Sequence, residues 1–117
     1  MKEDLKPKIL EAVKAIPKGF INDAVVKETI RCVLYAFLKE QGLQPIPGFR
    51  NPRYQEGPTD IVGLNQDNVV VVAFCSSATI ELQDVKSLER VGCEKKYVVT
   101  FSPNAKKVQM STFFLKS

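Results

Sequence analysis

The apolar positions of the first third of the chain fall at helical spacing. Leu5, Ile9, Leu10, Val13 and Ile16 recur with lysines between them, which predicts a short helix over Leu5–Ile16. Pro7 suits its first turn, and Pro17 and Gly19 end it. A second helix is expected from an Asn22 cap to about Gln41, with Asp23 near its positive end and Gly42 as its stop. Val26, Ile30, Val33, Leu34, Phe37 and Leu38 form its buried stripe.

The period then changes. Gln44–Gln55 carries Pro45, Pro47, Gly48 and Pro52, so any strand there is irregular and at a sheet edge. After Gly57-Pro58, Thr59–Leu64 reads as a strand. Asn65-Gln66-Asp67-Asn68 is a polar turn, and Val69–Cys75 opens with four consecutive valines, the pattern of a strand buried on both faces. These two strands are most simply a hairpin. Helical spacing returns over Thr79–Val91, with Ile80, Val85, Leu88 and Val91 inward and Gly92 after it. Lys96–Phe101 is a strong strand closed by Ser102-Pro103. A short helix is expected over Asn104–Met110 and a last strand over Thr112–Leu115. The order implies an α/β fold, one mixed sheet with helices on its faces.

Length adds that this is a single domain, 1–117. Composition narrows the chemistry more sharply. Histidine is absent, which removes Ser-His and Cys-His catalysis, histidine-ligated zinc and the usual general base. The three cysteines, Cys32, Cys75 and Cys93, form no CxxC pair and read as small hydrophobes in a reducing compartment. The longest strongly apolar run, Val69–Cys75, is far below the ~20 residues of a membrane span. With no secretory pattern at the start, the expectation is a cytoplasmic protein without membrane contact.

From the second helix to Phe101 the order helix, three strands, helix, strand resembles the PD-(D/E)XK nuclease superfamily, which includes archaeal Holliday-junction resolvases and many restriction endonucleases. The run Gly57-Pro58-Thr59-Asp60-Ile61-Val62 matches the strand that carries the family's aspartate, and Ser76-Ser77 marks the exit of the next strand toward a helix. The resemblance implies a restriction-endonuclease-like αβββαβ core with Asp60 as its acidic residue and Glu28 as the helix glutamate. In such sites two or more carboxylates hold Mg²⁺ beside the scissile phosphate, and a lysine positions the attacking water. The frame set by Ser76-Ser77 places Ala73 at the family's second acid and Cys75 at its lysine. Alanine cannot ligate a metal, and thiolate is a poor partner for Mg²⁺.

The first expectation is therefore a non-catalytic, nuclease-like domain that binds nucleic acid or a protein partner and requires no cofactor. A second is an Mg²⁺-dependent nuclease with displaced groups. There Asp60, Glu28 and Lys86 would be catalytic, and Asp60 and Glu81 would hold the metal, with Asp84 also on the second core helix. A third is an interaction scaffold with no nucleic-acid role. Seventeen basic against thirteen acidic residues give a net charge of +4, which permits an anionic partner. Arg50 and Arg53, with Tyr54 beside them, are candidate phosphate and stacking contacts. So are Lys106 and Lys107, within a C-terminal set that also holds Lys95, Lys96 and Lys116 and no acid. Phe113-Phe114 near the terminus either pairs with a partner chain, as in the homodimers common in the resembled family, or closes the edge of the sheet.

Overall fold

The computed structural model describes residues 2–49, 59–77, 91–93, 95–101 and 108–112. Helix α1 spans Lys2–Lys14 and helix α2 spans Asp23–Glu40, with a single 3₁₀ turn at Lys18–Phe20 between them. Five strands follow: β1 Gln44–Phe49, β2 Thr59–Leu64, β3 Val70–Ser77, β4 Lys95–Phe101 and β5 Val108–Thr112. They form one sheet in sequential order. Neighbours are antiparallel except β3 and β4, which run parallel. A parallel neighbour requires a crossover connection, which makes the sheet mixed. The element order and mixed sheet are those of a restriction-endonuclease-like core. The helix expected over Thr79–Val91 lies outside the described residues except at Val91.

Local chemistry sets the element ends. Asn22 has an extended backbone and accepts a hydrogen bond from the Val25 amide at 2.9 Å, satisfying one of the orphan donors of the α2 N-terminus. We expect Asn22→Ala to cost about 1 kcal/mol, measured as a lower urea midpoint with an unchanged slope; an unchanged midpoint would mean that packing alone defines this end. At the other end Gly42 takes a φ of 79°, the left-handed conformation that terminates helices. The polar turn closes the β2–β3 hairpin as expected. The Asn65 side-chain oxygen accepts from the amides of Asp67 and Val69 at 2.9 and 3.1 Å.

Burial follows the two periodicities. α1 and α2 pack Leu5, Ile9, Val13, Val26, Ile30, Leu34, Phe37 and Leu38 onto Ile61, Val72, Phe74, Val99 and Phe101 of the sheet. The intervening strand positions, Val62, Ala73 and Cys75, point to the opposite face and cluster with Val91. Each sheet face thus has its own apolar layer.

Two expectations are corrected. Val108–Met110 is not the end of a short helix: Val108–Thr112 forms β5, paired with Phe101–Tyr97. Pairing along the β4 edge outweighs a weak local helical preference there; the rest of the expected short helix, 104–107, and of the expected last strand, 113–115, lies outside the described residues. Val69 is exposed and precedes the strand. It belongs to the turn, so burial of the valine run begins only as the strand enters the sheet.

β1 is the irregular edge strand that its prolines predict. Pro45 stands opposite Gly63 and Pro47 opposite Ile61. Two residues apart, both prolines lack their N–H on the same side of the strand, and only an outer edge tolerates that.

Candidate nucleic-acid interface around Asp60

The candidate site begins where the sheet ladder is interrupted. Along β1 and β2 the pairs run from Pro47–Ile61 to Phe49–Thr59, passing over the level of Gly48 and Asp60. Gly48 has a φ of 64°, a kink that glycine adopts without steric cost. On the other side, the β2–β3 pairs end at Ile61–Phe74. Among the described residues Asp60 thus lies where β2 has no regular ladder partner on either side, and its carboxylate makes contacts there instead. Strict alternation would group Asp60 with Val62 on the far face. At this open end its carboxylate instead meets α2.

Asp60 is buried, with 4% of its surface exposed. Its Oδ2 accepts from both the amide and the hydroxyl of Ser76, the latter at 2.9 Å. Its Oδ1 accepts from an Arg31 guanidinium nitrogen at 3.2 Å and lies 3.5 Å from the Lys27 Nζ. Lys27 and Arg31 are four residues apart on α2 and share a face. They flank the buried stripe, close enough to reach into the sheet end while 39% and 28% of their side-chain surface stays exposed. A second nitrogen of Arg31 pairs with Glu28 at 3.5 Å, and the Arg31 Nε–H is enclosed with no acceptor among the described residues.

This arrangement is a carboxylate saturated by donors. A buried anion needs such partners to offset its desolvation. Its chemistry runs opposite to that of a metal site: a divalent ion approaching Oδ1 would meet two cations, and Oδ2 is already committed to Ser76. Among the described residues no group of three His, Cys, Asp or Glu side chains is gathered to hold a metal ion. Glu28 is exposed and turns to Arg31 rather than to Asp60. The described residues do not fit the Mg²⁺ ion that the resemblance implies.

The frame on β3 also differs from the one suggested by Ser76-Ser77. Ala73 and Cys75 are buried in the far layer. The positions on the α2 side, toward the Asp60 carboxylate, are Phe74 and Ser76, one in the core and the other hydrogen-bonded to that carboxylate. Neither frame supplies an acid or a lysine. Ser76, Lys27 and Arg31 are the site residues that sequence reasoning missed. The available signal was a basic pair at i, i+4 immediately beside the apolar stripe, which reads equally as a solvated helix face.

Lys86, Glu81, Asp84, Arg50, Arg53, Tyr54, Lys106 and Lys107 lie outside the described residues. Lys96 is not the surface cation expected of the C-terminal lysines. It is only 4% exposed and sits level with Ala73 in the parallel register. A separate cleft of about 590 Å³ lies between Leu43, Val70, Val72, Cys93 and Lys95, with no carboxylate among the described residues that line it. Burial pushes the Cys93 thiol above its ordinary value, against the opposing pull of the Lys96 charge and a hydrogen bond to the Lys95 carbonyl. At neutral pH that thiol is protonated and a weak nucleophile.

Comparison with known proteins bears on the fold. No family model and no curated protein sequence matches the chain. Among solved structures, the cryo-electron microscopy structure of a DrdV–DNA complex is similar over 93% of this chain, with a TM-score of 0.55 and 15% sequence identity. The chain spans 12% of the length of that protein chain. At this identity the likeness concerns the fold. No helix among the described residues is long and apolar enough to cross a membrane.

Proposed function

We propose that this chain is a nuclease-like domain that binds nucleic acid through its phosphates and does not carry out metal-dependent cleavage. The observation that carries this reading is the occupation of Asp60. Metal-dependent phosphodiester hydrolysis needs carboxylate lone pairs free for the ion, and here those of Asp60 are taken by Lys27, Arg31 and Ser76. The carboxylate holds cations in place, and fixed cations attract phosphate whether or not the backbone can be cut. The likeness to a protein solved in complex with DNA and the net charge of +4 favour nucleic acid over a protein partner.

The test combines binding and cleavage. Labelled duplex, single-stranded and branched DNA are mixed with the purified protein at low and moderate salt, with and without Mg²⁺ or Mn²⁺. The expected result is retention without cleavage, with affinity falling as salt rises by a log–log slope of about 0.7–0.9 per phosphate contacted. Cleavage that requires the divalent ion and disappears in Asp60→Asn would overturn the reading and direct attention to Glu28, Glu81 and Lys86 as displaced groups. No binding at low salt would overturn it in favour of a protein-interaction scaffold.

A further inference from the structure

We infer that the nucleic-acid contact is made by a row on α2, Lys27, Arg31 and Tyr35, that it takes a single strand, and that Asp60 is the positioning residue for its two cations. The inference rests on the nucleic-acid reading above and assigns that reading a surface.

The three residues lie at i, i+4 and i+8. On a helix they follow one another along a single side, about 6 Å apart per step. The row leaves the edge of the buried stripe and turns gradually outward, so that Tyr35 is among the exposed large hydrophobic residues. Cation, cation, aromatic is the combination that binds a single strand: charges hold the phosphates, and a ring accepts a base that has left its stack. A duplex keeps its bases stacked and offers the ring nothing equivalent.

Asp60 makes the row rigid. One carboxylate oxygen receives both Lys27 and Arg31, so neither long side chain has to be immobilised when the ligand arrives. That ordering cost is otherwise borne at binding. Each cation keeps capacity beyond this contact. Lysine has three N–H donors and arginine five, and both side chains remain partly open to solvent. Glu28 has the opposite role. It is exposed and 3.5 Å from Arg31, an anion beside the path of the phosphates. The same glutamate therefore has two contrary expectations: as a metal ligand its loss impairs function, and beside a phosphate row its loss improves binding.

The test uses the full chain with a labelled oligothymidine and a labelled duplex of mixed sequence, titrated over a salt series. Lys27→Gln is expected to weaken binding to both probes and to reduce the salt slope by about 1. Tyr35→Ala is expected to weaken oligothymidine binding about tenfold while leaving the salt slope unchanged. Glu28→Gln is expected to tighten binding about twofold. All three positions are partly or largely exposed, and thermal melting of each variant confirms that it folds. Wild-type protein that binds with a steep salt slope, together with three variants that match it, would overturn the row while leaving the nucleic-acid reading intact. Loss of duplex binding in Lys27→Gln with no Tyr35→Ala effect on the single strand would overturn the single-strand assignment. Absence of wild-type binding at low salt would remove the reading and the row together.

Discussion

Asp60→Ala is expected to lower the unfolding free energy by about 3 kcal/mol. The substitution removes a buried acceptor from four donors at once: the Ser76 amide and hydroxyl, the Arg31 guanidinium and the Lys27 ammonium. The serine groups are left in a pocket that the carboxylate had filled. The two cations face one another without the charge that held them, although their partial exposure lets water relieve part of the penalty. Relative to a total stability of about 5–15 kcal/mol, the loss is large for a single carboxylate. Asp60→Asn keeps an oxygen for Ser76 but presents an amide to the cations, so its effect should fall between wild type and alanine. Urea denaturation with and without Mg²⁺ checks both parts. A ligand that binds only the folded state raises stability in proportion to the logarithm of its concentration. The Asp60 reading requires no such rise in the wild type. A midpoint that climbs with Mg²⁺, and fails to climb in Asp60→Asn, would return the residue to metal chemistry.

Phe74→Ala is expected to cost more, about 3–5 kcal/mol. Phe74 is fully buried under the helices and stacks on Tyr97 of the parallel neighbour, ring centroids 5.3 Å apart and planes 23° from parallel. Removing it opens a cavity at the junction of α2, β2 and β4, where the backbone cannot collapse without disturbing the last paired level of the hairpin. Phe74→Leu keeps most of the volume and should cost less than half as much. If the two variants melt together, the ring contact with Tyr97 carries the energy rather than the filled volume. Phe74 is also two residues from Ser76 on the same face. Phe74→Ala and Asp60→Ala should therefore combine non-additively, as substitutions at neighbouring sites do.

Much of this fold is legible from the chain. Asn22 and Gly42 bracket α2 by side-chain and backbone chemistry that acts over three or four residues, and the polar turn at Asn65–Asn68 does the same for the hairpin. Pro45 and Pro47 identify an edge strand because their missing donors leave no other place for it. β5 is less legible. Val-Gln-Met-Ser-Thr has no strong local preference, and its state follows from the free edge of β4, which is tertiary information. The site divides in the same way. Asp60 is identifiable from the Gly57-Pro58 pair that precedes it in the sequence. Its partners are not, because the choice between the two frames of β3 depends on where the ladder is interrupted. Lys27 and Arg31 differ from any solvated basic pair only in what lies across from them. Lys96 shows the converse: a lysine among other lysines, read as surface, is held inside on a strand covered by β3 on one side and β5 on the other.

The prolines of β1 have a consequence for how the sheet can grow. Endless edge-to-edge assembly needs two receptive borders on every molecule, one to accept a strand and one to offer it. On the β1 border the amides that would receive a visiting carbonyl are missing at Pro45 and Pro47, and the backbone bends at Gly48. Among the described residues, the border left for strand addition is that of β5. Through these five strands one molecule can cap another, and a fibre does not propagate along them.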